Sequence, residues 1–240
     1  MAKRTLIING INLLTVFDFF VDTVSKSPPS KKESRQSVPQ KSGSYNMYAS
    51  LGYSIYEDRE LSYTGQLVAD NSEELDRMLT KLNNLLLTKN KLTIQDTATP
   101  DYHYEMECTA VTPSNNERGF CDLTITFKGY PFKIWNDTIQ NVKWDDINFE
   151  IDTLQPASYS VKKDVNVVVN NTTPAVISFS YTAGADIQFT LDGITYAFTK
   201  GSHNSSVLLK PGNNVLKITS VGGSATATTT LSIDWKREEL

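Results

Sequence analysis

His103 and Glu105 alternate in the run Tyr102-His103-Tyr104-Glu105-Met106-Glu107. That spacing could let a carboxylate orient an imidazole for general-base chemistry. On a strand it equally describes a half-exposed polar face, which is the simpler reading. The chain has only two histidines. The second, His203, lies in Gly201-Ser202-His203-Asn204-Ser205 and reads as a loop residue, so neither has a histidine partner for catalysis or metal binding. The acidic pairs Asp58/Glu60, Glu105/Glu107 and Asp145/Asp146 carry the residue type of glycosidases. Glycosidase carboxylates flank a cleft and usually come from distant parts of a chain, whereas acids alternating on one strand form a solvated face.

Cys108 and Cys121 allow three readings: buried thiols, a cross-strand disulfide, or a redox pair. They are too far apart for a C-x-x-C motif. The first residues, Met1-Ala2-Lys3-Arg4, are not followed by the apolar core of an export signal, and a reducing compartment favours thiols. Lys26, Lys31, Lys32, Arg35 and Lys41 place five cations near a single acid, Glu33. This run could touch a polyanion, lie solvated in a loop, or dock on an acidic surface of a neighbouring molecule. It lacks the interleaved aromatic residues of a single-strand nucleic-acid site. Asn136, Asn170, Asn171 and Asn204 stand in N-x-[ST] sequons, which matter only in a eukaryotic secretory pathway. Tyr159, Phe179, Tyr181, Phe189, Tyr196, Phe198 and Trp235 could stack on sugar rings, but strand alternation sends about half of such residues into a core. No glycine-rich phosphate loop, H-E-x-x-H motif or nucleophile elbow occurs. The residues imply no catalytic site, cofactor or metal.

The elements that would position these residues are mostly strands. Asn9-Gly10 between Leu6-Ile7-Ile8 and Ile11-Asn12-Leu13 is a strong hairpin signal. Leu14 to Val24 reads as extended. Ser25 to Ser44, rich in Ser, Lys and Gln with Pro28, Pro29 and Pro39, has too little apolar surface for its own core and predicts a loop or protruding arm. Tyr45 to Asp70 is strand-like, with Leu61, Tyr63, Gly65 and Leu67 on one face. One helix follows: Asn71 is its N-cap, Leu75, Met78, Leu79, Leu82 and Leu86 form its apolar stripe, and Asn90 is a left-handed stop. Two strands, Tyr102 to Ala110 and Cys121 to Phe127, flank a turn over Pro113 to Gly119, which would bring Cys108 opposite Cys121. After a passage over Asn136 to Asp146 the pattern is entirely β. Strands are expected over 165–169, 176–181, 187–191, 194–198, 206–210, 215–220 and 226–235, separated by turns such as Asp192-Gly193 and Pro211-Gly212-Asn213. That spacing predicts a sandwich. The fold class is therefore mainly β: an α+β first domain with one helix over 1–138, and a β-sandwich domain over 139–240.

Composition agrees. The chain has 240 residues, 39% of them hydrophobic, a net charge of −4 and a mean hydropathy of −0.32. No stretch approaches the ~20 apolar residues of a membrane helix. Up to residue 140 there are 15 basic and 17 acidic residues, and beyond it 8 and 10. Neither part is a basic nucleic-acid-binding domain.

The order of these elements, together with several strings, resembles the distal tail protein (Dit) family of phages with long flexible tails. The Asn9-Gly10 start is similar to the family's opening hairpin. Tyr56-Glu57-Asp58-Arg59-Glu60-Leu61-Ser62-Tyr63-Thr64-Gly65 looks like its strand with an Arg ahead of a small residue. The helix from Asn71 to Thr88, followed by Leu92-Thr93-Ile94, fits its next elements. Leu123-Thr124-Ile125-Thr126-Phe127-Lys128-Gly129-Tyr130-Pro131-Phe132-Lys133 looks like the end of its first domain. Leu209-Lys210-Pro211-Gly212-Asn213-Asn214 and Ile233-Asp234-Trp235-Lys236-Arg237 resemble its Pro-Gly-x-Asn turn and last strand. The likeness spans nearly the whole chain. One departure is Gln40-Lys41-Ser42-Gly43-Ser44, where the family often has Gly-x-Asp-Gly. No large insertion interrupts the second domain, as in the family's simple form.

This resemblance implies a non-enzymatic structural protein of the virion, assembled in the bacterial cytoplasm. Copies would form a homohexameric ring, with first domains around a channel and galectin-like second domains outside. The ring would join the tail tube protein to the tip hub or tail-associated lysin, and to receptor-binding or baseplate proteins where present. DNA would pass through without specific binding, and no membrane insertion is implied. The polar stretch Ser25 to Ser44, carrying Lys26, Lys31, Lys32, Arg35 and Lys41, would be the belt that clasps the next subunit. An alternative is a carbohydrate-binding module in which the second domain contacts the host cell wall.

Overall fold

The computed structural model describes residues 4–37, 39–40, 42–117, 119–138, 155–156, 158–221 and 229–240. In chain order the elements are β1 (Leu6–Ile8), β2 (Ile11–Asn12), α1 (Leu13–Phe17), β3 (Phe19–Lys26), β4 (Arg35–Ser37), β5 (Ser44–Asn46), a 3-10 turn (Met47–Leu51), β6 (Arg59–Val68), α2 (Ser72–Leu87), β7 (Leu92–Asp96), β8 (Tyr102–Glu117), β9 (Phe120–Gly129) and β10 (Lys133–Thr138). There follow β11 (Ser158–Val161), β12 (Asp164–Asn171), β13 (Ile177–Ala183), β14 (Ile187–Leu191), β15 (Ile194–Phe198), β16 (Gly201–Leu209), β17 (Gly212–Ser220), β18 (Thr229–Asp234) and β19 (Lys236–Glu239). The chain is mainly β. It divides into two compact units, one holding the described residues of 1–49, 54–136 and 240, the other those of 50–53 and 137–239.

The first unit is built on one antiparallel sheet with strand order β2-β1-β7-β8-β9-β6-β3. Asn9 (φ 50°) and Gly10 (φ 81°) close the β1–β2 hairpin. Both positive φ values match the turn whose twist suits a two-residue hairpin. Along β6 the alternation is complete: Arg59, Leu61, Tyr63, Gly65 and Leu67 face inward and the residues between them are more exposed. Gly65 is required by a close approach, because a Cβ there would lie 1.9 Å from the Phe20 carbonyl oxygen of β3. Leu75, Leu79, Leu82 and Leu86 of α2 join Leu6, Ile8, Phe19, Tyr63 and Phe127 in one core. The Asn71 Oδ1 caps α2 by accepting from the Glu74 N–H at 2.9 Å, and Glu73 and Glu74 meet the positive end of the helix dipole.

The sheet is strongly curled. Between β7 and β3 lie β8, β9 and β6, a separation of about 19 Å if the sheet were flat. Yet Lys26 of β3 and Asp96 of β7 meet across the concave side at 3.0 Å. No lysine and aspartate could span a flat sheet of that width, so curvature brings them together.

The second unit contains two four-stranded sheets, β11-β18-β13-β16 and β12-β17-β14-β15. Their inward residues alternate along every long strand, as in Ile177, Phe179, Tyr181 and Ala183 of β13. Rings from both sheets meet in the core: Phe179 and Phe189 centres lie 5.7 Å apart, and Tyr181 stacks on Phe198 at 4.1 Å. The expected strands 187–191 and 194–198 match β14 and β15 to the residue.

Several expectations need correction. Leu13–Phe17 is helical rather than extended: the Asn12 side chain caps it at Leu14 N–H, and Asp18 turns left-handed (φ 46°) to end it. Only part of 45–58 is strand, because Met47–Leu51 forms a 3-10 turn. Helix α2 ends at Thr88, not at Asn90, and the Thr88 hydroxyl donates to the Asn84 carbonyl at 2.6 Å. The loop expected over 113–119 is mostly strand, since β8 and β9 stay paired out to Glu117–Phe120. Strands β10, β11 and β19 are additions to the expected strands. The passage expected over 136–146 lies outside the described residues from 139 onward, as do 226–228 of the last expected strand.

Candidate functional site

Among the described residues, the far part of the expected arm is an exposed hairpin. Strands β4 and β5 pair only with each other, from Arg35–Asn46 to Ser37–Ser44. Below them the chain is held by Lys32 N–H to the Ile55 carbonyl at 2.7 Å and Glu57 N–H to the Ser30 carbonyl at 2.8 Å. Apart from half-buried Asn46, all residues of β4 and β5 are exposed, so this hairpin has no core of its own. Tyr45 and Met47 are more than half exposed and supply large apolar side chains at its far strand.

The five cations of the sequence are placed differently. Lys31 bridges to Tyr56 through its backbone. Lys32 lies 3.9 Å from Glu57, and Arg35 is 2.8 Å from Glu33. Such exposed pairs are screened by solvent and weak, so these cations are readily exchanged onto another partner. Lys26 is not on the hairpin; it ends β3 inside the curled sheet. Lys41 lies outside the described residues.

Sequence reasoning missed a second cluster, formed where the curled sheet faces itself. Asp96, whose side chain is 0% exposed, accepts from Arg4 Nε at 2.9 and 3.0 Å. Arg4 Nη2 also donates to it. Lys26 Nζ lies 3.0 Å away, and the Ala98 backbone N–H donates at 2.9 Å. Burial alone would raise the Asp96 carboxyl, but bonds from Arg4, Ala98 and Lys26 hold it below its usual range. Arg59 is 5% exposed. Its guanidinium carbon lies 5.6 Å from the centre of the Tyr104 ring, and Lys26 Nζ lies 5.5 Å from the same centre. Burial pushes the Arg59 guanidinium below its usual range. It also pushes the Tyr63 and Tyr104 hydroxyls up. The signal in the sequence is one of parity: Leu92-x-Ile94-x-Asp96 and Arg59-x-Leu61-x-Tyr63 put a charge where alternation demands an apolar residue.

The remaining candidates separate. His103 does not pair with Glu105 and is not half-exposed. It is buried, with Nδ1 2.7 Å from the Asn136 Oδ1, because β10 lies against β8 at Ile134–His103. Glu105 instead meets Lys91 at 2.6 Å. His203 belongs to β16 rather than to a turn, its Nε2 lying between the Thr199 hydroxyl and the Lys200 carbonyl. Cys108 and Cys121 are not opposite each other. Cys108 faces Phe127 because the β8–β9 hairpin turns as late as Gly119, and on the other side of β9 Cys121 neighbours Leu67 of β6. Both are free thiols, and burial pushes Cys108 up to about 11. Among the described residues, no three His, Cys, Asp or Glu side chains gather as a metal site.

In the second unit, Phe179, Tyr181, Phe189, Phe198 and Trp235 are buried, and Tyr159 and Tyr196 are half-buried. They build the core rather than an exposed sugar platform. Of the sequon residues, Asn171 is buried and donates to the Ala175 and Leu209 carbonyls. Asn136 is engaged by His103 and the Pro100 carbonyl.

No protein-family model and no curated protein matches the sequence. Solved structures do. The phage P2 baseplate, in its activated conformation with Ca and with Sr, holds a chain aligned over 98% of this one and 98% of its own length, at 12% identity and a TM-score of 0.41. The SPP1 Dit (gp 19.1) protein, described as a paradigm of the hub adsorption apparatus in phages infecting Gram-positive hosts, aligns over 98% of this chain and 99% of its own at 19% identity and a TM-score of 0.63. With two β units, one carrying a single long helix and an exposed hairpin, matched almost end to end, this chain has the fold of the SPP1 Dit protein.

Proposed function

We propose that this protein is a non-enzymatic structural component of a phage tail tip, a distal tail hub. The observation that carries the reading is the whole-chain correspondence of fold with a protein described as a hub adsorption apparatus. In this reading, residues 1–138 form a ring and 139–240 a peripheral sandwich. Six copies close around a channel, join the tail tube to the tip or baseplate proteins, and let DNA pass. The particle is assembled in the bacterial cytoplasm and ends in the virion.

The hairpin supports the assembly role. A ring needs a heterologous contact, in which one patch meets a different patch on the next copy. The β4–β5 hairpin and the residues flanking it carry exposed cations at Lys31 and Arg35 and exposed apolar groups at Tyr45 and Met47. A candidate matching surface lies in the first unit, a groove of about 340 Å³ lined by Val16, Phe17, Val68 and Met78, with three acids, Asp18, Asp70 and Glu74, against one cation, Lys81. Apolar contact would supply affinity there and the opposite charges would supply register. The net charge of −4 suits a channel through which DNA slides, since each phosphate contact adds retention.

Light scattering on the purified chain, with negative-stain microscopy, tests the proposal. A six-fold ring with an open centre is expected. A monomer at high concentration, or a compact particle without a hole, would refute it.

A further inference from the structure

The inward-facing charges of the first unit do not balance. Arg4, Lys26 and Arg59 bring three positive charges to the neighbourhood of Tyr104, and Asp96 brings one negative charge. Asp96 is already engaged by Arg4, Lys26 and the Ala98 N–H. Arg59 is left with an enclosed Nε–H that has no hydrogen-bond partner among the described residues. The hydroxyl of Tyr63, a residue that is wholly buried, is directed to Asp96 instead. A buried donor without an acceptor is costly, and native proteins rarely tolerate one unless something fills the place. Access exists on one side, since the Arg4 and Lys26 side chains are 35% and 24% exposed.

We infer that this end of the curled sheet binds one small oxyanion, of the class of inorganic phosphate or sulfate, through Lys26 and the Arg59 Nε–H. The donor set favours an oxyanion over a halide. A guanidinium and an ammonium present hydrogens in separate directions, and several oxygens on one centre can accept them together. One bound oxyanion would bring the local charge close to neutral. It would also tie the end of β3 to the start of β6. The inference needs only the geometry of the first unit and does not depend on the assembly reading.

The test uses the full-length chain in chloride buffer at constant ionic strength, titrated with inorganic phosphate and followed by calorimetry and thermal unfolding. Saturation at one phosphate per chain is expected, with a rise in Tm of about 2–5 °C at excess phosphate. Arg59→Gln should weaken binding by roughly tenfold or more, as expected for loss of a charge-assisted hydrogen bond. Since the Arg59 variant could fail to fold, Lys26→Gln, at a partly exposed position, provides a second variant, with an expected weakening of about three- to tenfold. Asp96→Asn should bind phosphate more tightly than the native chain, because the carboxylate charge that competes for Lys26 is gone. Absence of saturation through the millimolar range overturns the inference. Equal affinity in the native chain and Lys26→Gln would mean an adventitious ion only, and would overturn it too.

Discussion

Replacing Asp96 by asparagine keeps the shape of the side chain and removes its charge. In the native fold that carboxylate is fully enclosed and takes bonds from Arg4, Lys26 and the Ala98 N–H. Arg4 comes from the chain ahead of β1, Lys26 from the end of β3 and Asp96 from the end of β7, so one side chain ties three distant segments of the curled sheet. Breaking a buried ion pair from one side costs about 3–5 kcal/mol, because the remaining charge is stranded. Here the stranded cations keep some solvent, 35% and 24% of their side chains, which lowers the expected cost to about 2–3 kcal/mol. For a unit of this size, that corresponds to a fall in Tm of roughly 6–15 °C. Differential scanning calorimetry at pH 7 in phosphate-free buffer measures it. The acid limb is a second readout. The folded carboxyl sits below its usual range, so as pH falls the unfolded chain takes up its proton first, near pH 4. The Asp96 contribution is therefore complete above about pH 4 and is lost as pH drops further through the folded pKa. Asp96→Asn should flatten that loss. A variant melting within 2 °C of the native chain at pH 7, or one with an unchanged acid limb, would refute the idea that this contact holds the curl.

Gly65→Ala should destabilise the first unit by at least ~3 kcal/mol in chemical denaturation, because its Cβ would overlap the Phe20 carbonyl, which belongs to backbone and cannot swing away. Tyr45→Ser with Met47→Ser should leave circular dichroism unchanged and abolish the ring in light scattering, since both side chains are exposed; an intact hexamer would reject the hairpin as the clasp. Thiol titration should find two free cysteines in the unfolded chain and slow alkylation of Cys108 in the native one at pH 8, where its thiol, pushed to about 11, is almost wholly protonated. Phe189→Ala should cost the second unit about 3–5 kcal/mol, because its ring is fully buried between Phe179 and Phe198.

Much of the fold was legible along the chain. The Asn9-Gly10 turn, the alternation over Arg59–Val68, the cap and leucine stripe of α2, and the strand spacing from Asp164 onward all depend on neighbours within a few residues. Turn chemistry and side-chain periodicity are local properties, so residue types alone report them. The exposed hairpin was legible for the same reason, as a segment too polar to bury itself.

What required the tertiary structure involves partners whose positions local rules do not set. The sequence places Cys108 opposite Cys121, but the β8–β9 register depends on where the hairpin turns, and a turn a few residues later sets Cys108 opposite Phe127. His103 reads as half-exposed until β10 folds back over it. Lys26 reads as one of five arm cations, yet it meets Asp96 across three intervening strands, and Arg59 joins them at Tyr104. Alternation tells which face of its own strand a residue occupies. Which residues from other strands share that space is decided by strand order and by the curvature of the whole sheet.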